Sequence, residues 1–168
     1  MGAINYKTIE YITMGVDIPA IEKSAEAYRK EYQENAAENG YILTDYEAEE
    51  EIKENDINSL YEAAAEVLKK YDFYNFKVEI EPGYYEGFFI DFRTWFDCTL
   101  YEEEREEIKA EIQEVKKMLI DFKNIGLRAC CPSWCTGYYT EEETTGKIEE
   151  AIKGIEKELA TIPTCKND

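Results

Sequence analysis

The sequence contains no histidine. This absence removes the side chain that most often acts as a general base, as the partner of a nucleophilic serine or cysteine, and as a metal ligand. A glycine-rich phosphate-binding loop is missing as well. Carboxylate pairs arise by chance among 38 acidic residues, and no pair stands out as catalytic. We therefore predict that the protein is not an enzyme and that it uses no cofactor.

Basic residues are scarce. Lysine and arginine together number 19 against 38 acids, which gives a formal net charge of −19. Binding to nucleic-acid phosphates or to anionic lipids needs clustered basic side chains, so we predict no direct nucleic-acid partner and no membrane. The charge instead favours a partner with a basic protein surface. It leaves the oligomeric state open.

Long apolar runs are also missing. No stretch approaches the roughly 20 residues that span a membrane. The first residues, MGAINYKTIEYITMG, lack the charged region followed by an apolar region that forms a signal peptide. The five cysteines are an odd number with no export signal, which favours reduced thiols. We expect a cytoplasmic protein.

What the chain does contain is enough for a folded core. Its 168 residues include 44% hydrophobic and 14% aromatic residues, whereas disordered acidic chains are poor in aromatics. No composition break or linker divides the sequence. We predict a single globular domain over residues 1–168.

Capping signals predict the helices. The S/T-x-x-E pattern of a capping box occurs four times. The four pairs are Thr44 with Glu47, Ser59 with Glu62, Thr99 with Glu102, and Thr140 with Glu143. A fifth helix should begin at Asp17, with Pro19 in its first turn, and end near Asn39 and Gly40. Apolar residues three and four apart after Thr99 and Thr140 predict two long helices that pack on a neighbour.

Between these helices the apolar period changes to two. Residues 74–81 and 88–93 alternate apolar and polar side chains around the turn EPGYYEG, which predicts a β-hairpin. Weaker strand signals lie at 6–16 and 126–131. The prediction is an α+β fold, in which a small antiparallel sheet built on a central hairpin at about 74–93 carries about four to five helices.

Acidic residues concentrate in one part of the chain. Residues 17–66 contain 15 acids and 4 bases, a net charge of −11, against −8 in the other 118 residues. Residues rise about 1.5 Å each along a helix, and B-DNA presents one charge per about 1.7 Å of axis. A helical acidic face can therefore resemble a row of phosphates. The candidate partner-binding acids are Glu47, Glu49, Glu50, Glu51, Glu54 and Asp56.

The acids have two alternative roles. Charge runs are usually solvated faces that only keep a protein soluble, and this role stays open. A calcium or magnesium loop is disfavoured, because the segment has no glycine to turn a chelating loop.

Tyrosines supplement the acids. Tyr46 and Tyr61 lie within or close to the acidic segment, and Tyr84 and Tyr85 lie at the hairpin tip, where a turn cannot easily bury both. Tyrosine provides large, rigid contact area in interfaces. We predict that these four side chains contribute to partner binding.

The sequence ACCPSWCTGYY raises the possibility of a zinc site. Cys130, Cys131 and Cys135 are close together, but no C-x-x-C pair is present, and free cysteines are commonly buried as small core residues. We predict no metal site and keep zinc at these three cysteines as the weaker alternative.

Three phrases, INYKTIEYITMG, PGYYEGF and PSWCTGYY, resemble a family of small uncharacterised acidic proteins encoded by bacteriophages and prophages of gut bacteria. The resemblance implies a phage context and hence the cytoplasm of a bacterial host. Phages encode acidic inhibitors of restriction and CRISPR nucleases, several of which imitate nucleic acid.

Charge and resemblance together favour one hypothesis. The protein is a non-enzymatic anti-CRISPR or anti-restriction inhibitor whose acidic, DNA-mimicking surface binds a host nucleic-acid-binding defence protein. The alternative is a structural or accessory phage protein, either zinc-stabilised or not, whose acidity serves only solubility. Stoichiometric zinc in the purified protein would favour this alternative.

Overall fold

The computed structural model describes residues 7–83, 86–130 and 137–165. Within them lie four helices and four strands in the order β1, α1, α2, β2, β3, α3, β4, α4. The bounds are β1 Lys7–Gly15, α1 Ile18–Glu38, α2 Asp45–Lys69, β2 Phe76–Pro82, β3 Phe88–Phe96, α3 Glu102–Ile125, β4 Arg128–Cys130 and α4 Glu141–Thr161. The predicted α+β class is confirmed.

The strands form one antiparallel sheet in the order β2-β3-β1-β4. The predicted hairpin is β2 with β3, and the two weaker strand signals correspond to β1 and β4. The hairpin is not central, however, because β2 lies at the edge and β1 pairs with the other side of β3. A register shift between Glu10 and Thr13 interrupts the pairing of β1 with β3.

Alternation along β3 shows which face of the sheet is covered. The side chains of Phe88, Ile90, Phe92, Thr94 and Phe96 are buried, whereas those between them are half-buried or exposed. Apolar residues of α2, α3 and α4 join this buried face in one core cluster. The two long helices, each predicted to pack on a neighbour, pack on each other as α3 and α4, and α4 also contacts β1 and β4.

Three of the five predicted helix starts are confirmed. Asp17 accepts a hydrogen bond from the Ala20 N–H, with Pro19 in the first turn of α1. Thr44 and Thr140 form complete capping boxes at the starts of α2 and α4. These side chains satisfy backbone N–H groups that have no partner inside the helix.

The other two predicted starts are wrong. Ser59 lies in the interior of α2, which is one continuous helix of 25 residues. α3 begins not at Thr99 but after Tyr101, whose N–H donates to the Glu104 carboxylate. Leu100 forms a β-bridge with Thr164 instead. Its N–H donates to the Pro163 carbonyl, and its own carbonyl accepts from the Cys165 N–H.

Candidate functional site

The acidic segment folds as a hairpin of two helices, α1 and α2, which pack on each other. The turn between them places Gly40 at φ +88°, a left-handed conformation that glycine adopts without strain. Polar contacts join the helices near the turn. Arg29 contacts Glu49 at 2.9 Å and Asp45 at 3.6 Å, and the Gln33 amide donates to Asp45 at 2.9 Å. Of the 21 residues in α1, only Ala25 is buried.

Four of the six predicted acids share one side of α2. We call Glu47, Glu50, Glu51 and Glu54 the acidic stripe. Their spacing of three, four and seven residues aligns side chains along one helix face. Glu47, Glu51 and Glu54 are exposed, and the side chain of Glu50 is 44% exposed. The stripe therefore faces solvent.

The other two predicted acids lie towards α1. Glu49 is 29% exposed and forms an ion pair with Arg29. Asp56 is half-buried and lines a groove between the helices. The six acids therefore do not form a single face, because these two are turned towards the partner helix.

Local contacts hold two members of the acidic stripe in place. The Glu47 carboxylate accepts from the Thr44 N–H at 3.2 Å in the capping box. Lys53 lies between Glu50, at 3.2 Å, and Glu86, at 3.0 Å. Partial burial alone would lower the pKa of Lys53, but its hydrogen bonds to these two carboxylates raise it above its usual value. Lys53 thus stays charged and partly offsets the charge of Glu50.

A third member, Glu51, contacts α1. Burial, together with the hydrogen bond to Glu51 and its negative charge, raises the pKa of Tyr32, while a hydrogen bond from Asn55 opposes this shift. The Tyr32 hydroxyl therefore stays protonated and acts as a donor to the carboxylate. This hydrogen bond links the acidic stripe on α2 to α1.

Two of the four predicted contact tyrosines are exposed on α2. Tyr46 is 71% exposed beside the turn, and Tyr61 is 50% exposed with its ring edge-on to Phe88 at 5.4 Å. The other two predicted contact tyrosines, Tyr84 and Tyr85, lie outside the described residues. The sequence patterns did not single out Ile42, which is 93% exposed in the turn between α1 and α2. They also did not predict a binding role for Tyr28, which belongs to the apolar stripe of α1, or for Glu31.

The cysteines of the zinc alternative are only partly described. Cys130 is buried in β4, and its thiol donates to the Thr13 carbonyl at 3.6 Å. Cys131 and Cys135 lie outside the described residues, so the zinc alternative stays a prediction. Of the remaining cysteines, Cys98 is exposed and Cys165 is half-buried.

A carboxylate cluster lies on the sheet, far along the chain from the stripe. Oxygens of Glu79, Glu81 and Asp91 lie within 4.8 Å of one another. Cations already contact two of them, since Lys77 lies 3.1 Å from Glu79 and Arg93 lies 3.0 Å from Asp91. The hydrogen bond from Lys77 holds the pKa of Glu79 below its usual value. Neighbouring protein cations therefore offset two of the three carboxylate charges.

A roomy cavity outside the hairpin measures about 520 Å³ and lies where β3 meets α3. It contains two carboxylates, Asp97 and Glu104. Glu104 accepts the Tyr101 N–H at 3.0 Å, so its position follows from the start of α3. Glu104 thus helps to fix the start of α3, and the absence of enzymatic activity stays a prediction.

The described helices include none with the length and apolarity needed to cross a membrane. Comparisons of the chain with protein-family models, with curated proteins and with solved structures find no match. The resemblance to phage-encoded acidic proteins therefore stays a prediction, and the candidate site is defined by its own geometry: an exposed acidic stripe on a helical hairpin.

Proposed function

We propose that the protein is a non-enzymatic inhibitor of a host nucleic-acid-binding defence protein, such as a CRISPR or restriction nuclease. The acidic stripe enters the basic channel of that protein and occupies the place of DNA. The single observation that supports this proposal is the exposed alignment of Glu47, Glu50, Glu51 and Glu54 on one face of α2.

The spacing of the stripe suits this role. From Glu47 to Glu54 the helix rises about 10.5 Å in steps of about 4.5, 1.5 and 4.5 Å between successive carboxylates, so their average spacing along the axis is about 3.5 Å. One strand of B-DNA presents a phosphate every 3.4 Å or so of axis. A helix of 25 residues fixed by a capping box holds this array before binding, which reduces the entropy lost on association.

The surroundings add negative charge. Most of the α1–α2 hairpin lies within residues 17–66, which contain 15 acids and only 4 bases, and two of those bases, Arg29 and Lys53, are already paired with carboxylates. Such a field speeds the approach of a basic partner and repels nucleic acid. It also destabilises the compact protein by self-repulsion, a cost that solubility alone does not require.

The test is inhibition of DNA cleavage by a purified restriction endonuclease and by a guide-loaded CRISPR nuclease. Replacing Glu50, Glu51 and Glu54 with glutamine should weaken inhibition. At about 0.5–1 kcal/mol for each exposed charge contact, the inhibitory concentration should rise about 10- to 100-fold. Inhibition should also weaken as salt increases, because the attraction is screened.

The matched control changes the same number of charges elsewhere. Glu102, Glu103 and Glu107 are exposed on α3, outside the hairpin. Their triple glutamine variant should inhibit like the wild type. Equal weakening by both triple variants would mean that only net charge matters, and inhibition that does not change with salt would contradict DNA mimicry.

A further inference from the structure

A long groove runs between α1 and α2. It consists of two adjoining cavities of about 330 Å³ and 460 Å³. Both are lined by Ser24 and Asp56, so the two cavities adjoin along the space between the helices. We call it the hairpin groove. Its lining extends from Asp17, which caps α1, to Asn35 on α1, a rise of about 27 Å.

Small side chains account for the space between the helices. Five small residues line the part of the groove nearest the end of α3: Ala20, Ser24, Ser59, Ala63 and Gly126. Gly126 adopts φ +117° at the end of α3, so it cannot be replaced by a larger residue without strain. The packing of the hairpin thus leaves an open channel.

The floor of the groove is apolar. Ile52 is only 8% exposed, and three half-buried side chains, Ile21, Leu60 and Ile125, continue the lining. Apolar side chains of a ligand that entered the groove would be removed from water against these residues. This floor distinguishes the groove from the acidic stripe, which offers charge without an apolar surface.

The walls of the groove are acidic. Glu31 and Asp56 line it, and within the described ranges neither carboxylate forms a side-chain hydrogen bond or an ion pair. Asp17 adds a third carboxylate at one end, and among the described lining residues none is basic. Tyr28, which is 60% exposed, and Tyr32 place phenol rings beside these acids. A cationic side chain would find both carboxylate and aromatic contacts there.

We propose that the hairpin groove binds a basic amphipathic helical segment of the partner protein. Its apolar face lies on the floor formed by Ile21, Ile52 and Leu60, while its lysine or arginine side chains contact Glu31 and Asp56. The length of the groove suits a helix of about four turns or more, and an apolar helix face lying in a groove is a common mode of peptide recognition. A second copy of this chain does not fit, because its net charge of −19 repels it. The assignment of this segment to a nucleic-acid-binding defence protein rests on the proposed function.

The probe is a synthetic peptide of 16 or so residues with leucine and lysine at helical spacing, measured by calorimetry at about 0.15 M salt, where exposed charges are screened beyond about 8 Å. A peptide of the same composition in scrambled order is the control. We expect the amphipathic peptide to bind at least about tenfold more tightly. Equal binding of both peptides would overturn the proposal, because it would show attraction by charge alone.

Variants locate the binding site. Glu31→Gln with Asp56→Asn should weaken binding of the amphipathic peptide about tenfold, whereas Glu34→Gln with Glu38→Gln, the same charge change on exposed residues of α1, should change it less than about twofold. Ser24→Phe fills the groove without changing charge and should also weaken binding, with circular dichroism checking that the variant is folded. Equal effects of the two charge pairs, or full binding by folded Ser24→Phe, would overturn the proposal.

The outcome is distinguishable from failure of the proposed function. If the peptide does not bind but glutamine substitutions in the acidic stripe abolish nuclease inhibition, the groove proposal is wrong and DNA mimicry stands. If the peptide binds in the groove and no nuclease is inhibited, the groove proposal stands and the partner is a basic protein of another kind.

Discussion

Like charges on the acidic stripe should destabilise α2, so the double variant Glu51→Gln/Glu54→Gln should be more stable than the wild type. The two substitutions remove three like-charge pairs at helical spacings of three or four residues: Glu47 with Glu51, Glu50 with Glu54, and Glu51 with Glu54. Each such pair costs about 0.2–0.5 kcal/mol. The expected gain in the free energy of unfolding is therefore about 0.6–1.5 kcal/mol.

Other contacts change little in this variant. The ion pair of Lys53 with Glu50 is untouched, and a glutamine at position 51 keeps an oxygen that accepts from Tyr32. For a chain of this size 1 kcal/mol corresponds to about 2–4 °C in Tm, so Tm should rise by about 1–6 °C. The gain should shrink as salt screens the repulsion.

The assay is urea unfolding followed by circular dichroism at about 0.02 M and 0.5 M salt, where the Debye length falls from roughly 20 Å to a few Å. The control, Glu102→Gln/Glu103→Gln, makes the same chemical change in the first turn of α3. Carboxylates there are stabilised by the helix dipole, so this variant should lose about 0.3–1 kcal/mol per residue. A loss of stability in the stripe variant at low salt, or a gain that persists in high salt, would refute charge repulsion as the cause.

Three further predictions concern the body of the protein. Arg105→Leu should cost about 2–4 kcal/mol in urea unfolding, because the buried guanidinium donates to two carbonyls at the end of α4 that would lose their partner. Thr144→Val should cost about 1–3 kcal/mol in the same assay, because the buried Ala129 N–H donates to the Thr144 hydroxyl at 3.0 Å. Burial and a 2.6 Å hydrogen bond to Asp121 raise the pKa of Tyr71 from 10.0 to about 12. Because the folded pKa is the higher one, this stabilisation is complete below about pH 10 and is lost as the pH rises through about 12, so Tyr71→Phe should lose less stability over that window than the wild type.

Helix ends were predictable from sequence only where local hydrogen bonding decides them. Asp17, Thr44 and Thr140 cap helices because each is preceded by non-helical chain that frees its side chain to accept from the first turn. Ser59 belongs to the same S/T-x-x-E pattern, but the backbone before it is already helical. The pattern does not encode the conformation of the preceding residues. The start of α3 depends on strand-like bonds between Leu100 and the chain around residue 164, which local sequence does not encode.

The order of strands could not be predicted from local sequence patterns, for a similar reason. Alternating residues predicted the hairpin of β2 and β3, since its strands are close in sequence. The place of β1 beside β3 depends on pairing across about 80 residues, which the alternation of either strand does not specify. The β-hairpin of β2 and β3 therefore lies at one side of the sheet and not at its centre.

The candidate site was likewise only partly predictable from local sequence. The spacing of Glu47, Glu50, Glu51 and Glu54 gives their common face once α2 is known to be a helix. The positions of Glu49 and Asp56 follow from contacts with α1, above all the ion pair with Arg29, and no property of α2 alone predicts them. The hairpin groove was invisible in sequence because it depends on small residues of three separate helical segments meeting in space.

The energetics of α1 connect the groove with the proposed function. α1 buries one apolar residue, Ala25, whereas α3 buries six and α4 five, so apolar burial contributes less to holding α1 in place. Instead, polar contacts such as that of Arg29 with Glu49 hold it to α2, within the most acidic part of the chain. A basic amphipathic segment in the groove would supply both the missing apolar contacts and the missing positive charge. The features that weaken the free hairpin are therefore the same features that would make it bind such a partner.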